Sequence, residues 1–325
     1  TLLAMVVGGN KFLKDWGFET VIFSLLIGLF ISNIFSIPKW LKESLSSELF
    51  VKIGLVLLGT TVLFDDLLKA GALGLIQSCV VVFTVWNFCF WLCRKMKIDK
   101  EMSLMLSSAV SICGVSAAVA TAGAIKGDKT KLSYVVSLVL VVAVPMILIM
   151  PGLAKLMGLP EDMAGAWIGG TIDTTGAVAA TGAIYGEVAL QTSTIVKFSQ
   201  NVLLGVAAFL ISIYWSYSKK EVTEEKPTLK VSWLRFPKCV LGFVAASLVF
   251  SFCVAPEVVS DAKPILKNIQ GMWFALAFMS IGLETDFKSL ITSENRRSTY
   301  AFLGAQAFNV VFTLLVAWIL FGLIA

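Results

Sequence analysis

The chain has 325 residues, of which 58% are hydrophobic and only 14% charged, and its mean hydropathy is +0.88. Soluble domains carry about a quarter charged residues, so this composition argues against a soluble fold and predicts one integral membrane domain over residues 1–325. The formal charge of +5 sits in short loops between apolar runs, where basic residues set membrane orientation, so we expect the lipid bilayer and no nucleic acid as a partner.

Ten predominantly apolar runs follow one another along the chain, and a membrane helix needs about 20 residues. The opening TLLAMVVGGN has no basic region, so we expect a trimmed fragment or the tail of an earlier helix rather than a signal peptide. A solvated, cytoplasmic linker is predicted at 218–233. The fold class is therefore all-α, a polytopic membrane helical bundle of about 10–11 segments. The runs are 20–36, 50–64, 70–93, 102–125, 132–151, 162–185, 192–217, 234–254, 271–285 and 297–324.

Two of these runs, 102–125 and 162–185, differ from the others because glycine and small polar residues lie at their middle. At an offset of 59 residues, AVATAGAIKG at 118–127 aligns with AVAATGAIYG at 177–186, which indicates an internal repeat. Each run is predicted to be an interrupted helix.

A weaker pair, 55–69 and 276–290, consists of apolar helices that end in an acidic turn. The two pairs together suggest a duplicated core. The repeat-related parts are 50–151 on one side and 162–217 plus 271–325 on the other.

The basic residues test the topology. If all ten runs cross the membrane, the two faces hold 17 and 8 Lys and Arg; if the two interrupted runs are re-entrant, the split becomes 19 to 6, with Lys197 inside a span. Re-entrance also makes every repeated pair antiparallel, as an inverted repeat requires. We therefore predict that 102–125 and 162–185 are re-entrant or unwound and enter from opposite faces.

An interrupted membrane helix exposes backbone groups that must be buried in protein or face a water-filled cavity, so an interruption often marks a site. The second half-helices begin at 115–117 and 175–177, and the positive end of a helix favours an anion. The alternative is that these small residues only let helices pack closely.

Asp173 lies within the second interruption, and Lys197 is the one basic residue well inside a span. The two form a natural ion pair in which Lys197 would neutralise an anionic substrate, unless the pair is a silent salt bridge between helices. We interpret Gln306, Asn309 and Asn87 as interhelical hydrogen-bonding residues. Caps of helix ends are predicted at Asp65, Asp66, Glu284 and Asp286.

SICGVSAAVATAG at 111–123, GGTIDTTGAVAATG at 169–182 and the lysine of IVKFSQN resemble the bacterial YeiH-type family, whose suggested cargo is sulfate. The resemblance implies a multi-pass carrier of the bacterial inner membrane with inverted repeats. It places the family motif on Ser111, Cys113, Gly114, Ser116, Thr171, Asp173, Thr174 and Lys197. Where many relatives carry His followed by Glu, this chain has Asp173 and Thr174, so a histidine relay is excluded here.

These observations predict a secondary active transporter, an exporter or exchanger, of a small inorganic or organic anion such as sulfate or a sulfonate, working by alternating access. The coupling ion is H⁺ or Na⁺, and a homodimer is left open. A Na⁺-coupled organic-anion symporter and, less favoured, an anion channel remain alternatives. With no HExxH, GxSxG or histidine, we expect no enzyme.

With no histidine and no CxxC pair among the six cysteines, we expect no metal and no cofactor. The predicted substrate-binding residues are Ser111, Cys113, Gly114, Val115, Ser116, Thr171, Asp173, Thr174, Thr175, Gly176, Lys197, Gln200 and Asn201.

Overall fold

The computed structural model describes residues 20–34, 46–62, 64–219, 238–284 and 296–324, and every regular element in these ranges is helical. The predicted N-terminal tail and nearly all of the linker 218–233 lie outside them, as do the side chains of Asp65, Asp66, Glu284 and Asp286. The first six helices are α1 Thr20–Ile34, α2 Ser47–Gly59, α3 Phe64–Lys95, α4 Lys100–Ser108, α5 Val115–Ile125 and α6 Lys129–Leu156. The other six are α7 Glu161–Thr171, α8 Thr175–Tyr185, α9 Glu187–Lys219, α10 Lys238–Leu248, α11 Pro256–Glu284 and α12 Arg296–Ala317.

Three of these helices continue into a wider π-type turn: α4 at Ala109–Cys113, α10 at Val249–Cys253 and α12 at Trp318–Ile324. Each of the ten predicted runs contains helix, which confirms the all-α membrane bundle. Within the described ranges, four helices are long and apolar enough to cross a membrane: Leu67–Lys95, Lys129–Leu156, Glu187–Trp215 and Arg296–Leu323.

Local sequence explains where the helices around the first interruption begin. Asp99 precedes α4, and its side chain accepts a hydrogen bond from the backbone N–H of Met102 at 3.1 Å. Asp128 precedes α6 and accepts from the backbone N–H groups of Thr130 and Lys131 at 2.7 and 3.1 Å. These acceptors satisfy N–H groups that have no partner within the helix. The backbone N–H groups of Lys131 and Thr130 also hold the pKa of the exposed Asp128 carboxyl below its usual range.

Hairpin 1, formed by α4, its π-type turn and α5, returns to the face from which it starts. The Glu101 carboxylate at its beginning accepts a hydrogen bond from the backbone N–H of Asp128 at its end. Lys131 holds the same carboxylate at 2.9 Å. A helix running straight from residue 101 to 128 would separate them by about 40 Å. The segment 102–125 is therefore re-entrant, as the charge count predicted.

Hairpin 2, formed by α7 and α8, has the same construction. The Glu161 carboxylate accepts a hydrogen bond from the backbone N–H of Val188 at 2.9 Å, across the same separation of 27 residues. The Tyr185 hydroxyl donates to the Leu159 carbonyl at 2.5 Å and closes the mouth of the hairpin from the other side. The matching separations show in three dimensions the repeat that the sequence predicted.

The two hairpins enter from opposite faces. Helix α6, which joins the mouth of hairpin 1 to the mouth of hairpin 2, has 28 residues and is therefore about 42 Å long. Each hairpin arm has 11 to 14 residues, or roughly 16–21 Å, so the tips lie near the middle of a hydrocarbon core about 30 Å thick.

The helices form two groups around these hairpins. The hairpin bundle contains α3 to α9 and α12, and α7 packs closely on α9 because Gly165 and Gly169 lie against the backbone of Ala189 and Ser193. The second bundle contains α1, α2, α10 and α11. The two bundles meet where Phe198 packs edge-on against Phe243, with ring centroids 5.3 Å apart.

Candidate functional site

The tips of the two hairpins touch at mid-membrane. Gly114, at the tip of hairpin 1, has φ +59° and ψ −110°, a conformation suited to glycine. A Cβ atom there would lie 3.2 Å from Cβ of Asp173, at the tip of hairpin 2, and 2.7 Å from Cγ1 of Val139. The missing side chain of Gly114 is what lets Asp173 approach.

The first arm of each hairpin ends at this meeting point and leaves carbonyl groups without helical partners. Side chains from α9 and α12 donate to them. Lys197 donates to the Ile112 carbonyl at 2.7 Å, and Gln200 donates to the Gly170 carbonyl at 3.0 Å. Asn309 bridges the hairpins, because its amide donates to the carbonyls of Val110 and Thr171 at 3.2 and 3.1 Å.

Gln306 adds a second bond to the Thr171 carbonyl at 3.0 Å, and Gln77 donates to the Ala166 carbonyl on the same arm at 2.7 Å. Our sequence interpretation treated Gln306 and Asn309 as interhelical hydrogen-bonding residues and did not single out Gln77. The signal that could have found them is the need of every interrupted helix for donors. Asn87, by contrast, donates to Phe83 of its own helix at an exposed position.

Lys197 and Asp173 do not form the direct ion pair that the sequence suggested. The Lys197 ammonium donates to the Ile112 carbonyl and to Oε1 of Gln200, each at 2.7 Å. The Ile112 carbonyl lies at the negative end of the first arm of hairpin 1, where a helix leaves carbonyls unpaired and favours a positive charge. The two charges still interact over a longer distance.

Asp173 is 1% exposed, and neither carboxylate oxygen has a hydrogen-bond partner among the described residues. An ionised carboxylate in this position costs several kcal/mol unless a cation or proton joins it. The Thr171 hydroxyl, two residues earlier, is buried and also has no partner in the part of the chain that the structure describes.

The second arms begin at the same place and present the positive ends of two helices. Gly114 gives α5 no side-chain cap, whereas Thr174 caps α8 by accepting from the Ala177 N–H at 3.2 Å. In the first turn of α5, Ser116 is exposed and Val115 partly exposed. In hairpin 2, Thr174, Thr175 and Gly176 are partly exposed. These N–H groups can donate to an anion.

The remaining predicted residues have mixed positions. Asn201 reaches hairpin 2 by donating to the Thr175 hydroxyl at 3.4 Å. Gly176 faces Val51 and Ile281 of the second bundle. Cys113 is buried beside the tip, and the Ser111 hydroxyl donates to Ser107 of its own helix at 2.7 Å. The structure therefore brings most of the predicted residues together, with Ser111 bonded within its own helix.

Fold and site define a polytopic α-helical membrane protein with two inverted re-entrant hairpins that meet at mid-membrane. Residues 1–301 match the family described as "Conserved hypothetical protein 698", and the chain belongs to that family. No solved structure matches the chain.

Relatives of the chain carry the name "UPF0324 membrane protein". The one from Rhodopirellula baltica is 38% identical over 99% of this chain and 61% of its own length. One from Nitratidesulfovibrio vulgaris is 37% identical over 99% of this chain and 58% of its own length. The one from Nitrosomonas europaea is 29% identical over 88% of this chain and 67% of its own length. The chain thus spans about three fifths of the length of the first two relatives.

Proposed function

We propose that this chain is a secondary active transporter of a small anion in the bacterial cytoplasmic membrane. The observation that supports this most is the meeting of two inverted hairpins, with Gly114 against Asp173 and two helix N-termini beside them. Interrupted helices related by an inverted repeat are typical of secondary transporters, whose substrates bind at such breaks near the midplane.

An anion is the substrate class that the free N–H groups favour. The first turns of α5 and α8 offer backbone donors and the positive ends of two helix dipoles. Lys197 adds a buried positive charge on the adjacent α9. Sulfate, a sulfonate such as taurine, or a small carboxylate suits this arrangement, and we infer no enzymatic activity.

Alternating access is supported by the unequal surroundings of the two repeated arms. Helix α8 packs against α2 and α11 of the second bundle, whereas α5 leaves Ser116, Val119 and Gly123 exposed. An ion pair between Glu187 and Lys267, at 2.5 Å, holds the bundles together at the mouth of hairpin 2. We propose that transport exchanges these surroundings, so that α5 becomes covered and α8 exposed.

Anion flux into proteoliposomes containing the purified chain tests the proposal. We expect saturable uptake or exchange of at least one of sulfate, sulfite, taurine and small carboxylates, with currents far below those of a channel. Lys197→Met should reduce flux at least about 100-fold, because the buried charge beside the site is lost. Lys155→Met, at an exposed position on α6, is the matched control and should leave flux unchanged.

Two results would contradict the proposal. One is tighter binding of a cationic substrate than of any anion, measured by thermal stabilisation of the purified chain. The other is channel-sized conductance in planar bilayers.

A further inference from the structure

Around hairpin 2, the buried side chains contain more oxygen atoms than there are hydrogen-bond donors to satisfy them. Across the described residues, every buried side-chain N or O atom without a hydrogen-bond partner is an oxygen. Five of these oxygens belong to residues at or beside the tip of hairpin 2. They are Oγ1 of Thr171, both carboxylate oxygens of Asp173, Oδ1 of Asn201 and Oε1 of Gln306.

The nitrogens of the same side chains are already in use. The Gln306 amide donates to the Thr171 carbonyl at 3.0 Å, which places its own carbonyl oxygen near Thr171. The Asn201 amide donates to Thr175, and the Lys197 ammonium is held by Ile112 and Gln200. Among the described residues beside Asp173, only the Thr171 hydroxyl is left as a donor, and its one O–H cannot satisfy two carboxylate oxygens or balance their charge. A cation supplies the charge that this carboxylate lacks.

We propose that Na⁺ binds at the tip of hairpin 2, on the carboxylate of Asp173 with the Thr171 hydroxyl and the Gln306 carbonyl oxygen beside it. Hard cations prefer oxygen ligands, and Na⁺ sites in carriers form where a helix is interrupted. Asp173 supplies one carboxylate to this group of oxygens, and its single negative charge matches a monovalent cation. A proton would bond to a single carboxylate oxygen, whereas a metal ion binds several oxygen atoms at once.

This inference rests on the proposed function, because the cation then explains how anion binding is coupled. Without Na⁺, the Asp173 carboxylate lies one residue before the α8 cap and repels an anion from that helix end. With Na⁺ bound, its charge is cancelled, and the two helix N-termini and Lys197 together attract the anion. Na⁺ and anion therefore bind together more tightly than either alone.

Thermal unfolding of the purified full chain in detergent, without an organic anion or sulfate, tests the cation site directly. NaCl, KCl and choline chloride are compared at equal ionic strength. We expect a saturable rise of the melting temperature, by several degrees, in NaCl only, because a ligand stabilises the state that binds it.

Two variants and a matched control locate the site. Asp173→Asn should abolish the Na⁺ response, and Thr171→Val should raise the Na⁺ concentration for half the effect by about tenfold, as loss of a supporting group near a metal does. Thr181→Val is the control, because Thr181 is equally buried in hairpin 2 but its hydroxyl donates to Ala177 at 2.7 Å. Its Na⁺ response should match that of the unaltered chain.

Three outcomes overturn the cation site. They are an equal response to K⁺ or choline, an unchanged Na⁺ response in Asp173→Asn, and stabilisation by low pH that Na⁺ does not replace, which would assign Asp173 to a proton. Flux measurements separate this failure from that of the proposed function. Anion transport without a Na⁺ response in thermal unfolding removes the cation site alone, whereas Na⁺ binding without any anion transport removes the transporter alone.

Discussion

Hairpins 1 and 2 have the same construction but differ at their tips. The offset of 59 residues pairs Gly114 with Asp173, and these two equivalent positions are in contact. The axis that relates the repeats therefore passes close to this pair. Two carboxylates could not share such a point without strong repulsion, so one repeat carries the charge and the other gives up its side chain. The two tips thus share one construction and differ at the position that carries the charge.

The second arms of the hairpins differ in their neighbours. In α8, Gly176 lies against the second bundle, with a Cβ position 3.1 Å from Ile281 and 3.3 Å from Val51. In α5, Ser116 and Val119 are exposed, although Ala117, the equivalent of Gly176, is buried. Helices α5 and α8 have similar sequences but different neighbours, so the sequence of an arm does not determine whether it is covered. A carrier that alternates between two states would need this property.

The largest effect we predict concerns topology, because it is all or none. In a background without other cysteines, Lys97→Cys and Lys129→Cys, on either side of hairpin 1, should react with an impermeant maleimide from one face of the membrane. Lys155→Cys should react from the opposite face only. Labelling of Lys97→Cys and Lys129→Cys from different faces would mean that hairpin 1 crosses the bilayer.

Gly114→Ala should cost about 3 kcal/mol or more of stability and abolish transport. The backbone conformation is unfavourable for alanine, and the new methyl group would contact Val139 at 2.7 Å. Gly158→Ala is the matched control, since Gly158 also has positive φ but nothing within 4 Å of its Cβ position, so only strain of about 1–2 kcal/mol is expected. Equal losses in thermal unfolding would contradict the close contact of the tips.

Asn309→Leu should destabilise the chain by about 2–4 kcal/mol, because the Val110 carbonyl loses the side-chain donor that links the hairpins. Gln306→Leu should cost less, about 1–2 kcal/mol, since Asn309 still donates to the Thr171 carbonyl. Asn87→Leu, at an exposed position, should stay within about 0.5 kcal/mol. The order of the three melting temperatures is the measurement, and a reversed order would refute the bridging role.

The smallest effect belongs to the mouth of hairpin 1. Backbone N–H groups of Lys131 and Thr130 lower the pKa of Asp128, so its stabilising contribution is full above the ordinary aspartate pKa near 3.9 and is lost as pH falls through the lower folded value. The difference in melting temperature between the unaltered chain and Asp128→Ala should therefore shrink between about pH 4 and pH 2. Glu257→Gln, at an exposed position on α11, serves as the control. A constant difference over this range would argue against the capping role.

Local sequence patterns predict the class of the fold, the ten apolar runs and the position of both interruptions. Apolar run length is a local property, and glycine with small polar residues in the middle of such a run marks a break wherever it occurs. The charge count and the repeat also predicted re-entrance, which the contacts of Glu101 and Glu161 confirm.

Which side chains donate hydrogen bonds to the carbonyls at the two interruptions is set by the tertiary structure. Opposite charges predict that Lys197 pairs with Asp173, yet its ammonium donates hydrogen bonds to the Ile112 carbonyl of hairpin 1 and to the Gln200 side chain. Gln306 and Asn309 are far from both hairpins in sequence, so their donation to Thr171 depends on how α12 packs across the tips. Several buried acceptors compete for a few donors, and the distances between them determine which hydrogen bonds form. These distances depend on how the helices pack, which the order of residues in the sequence does not show.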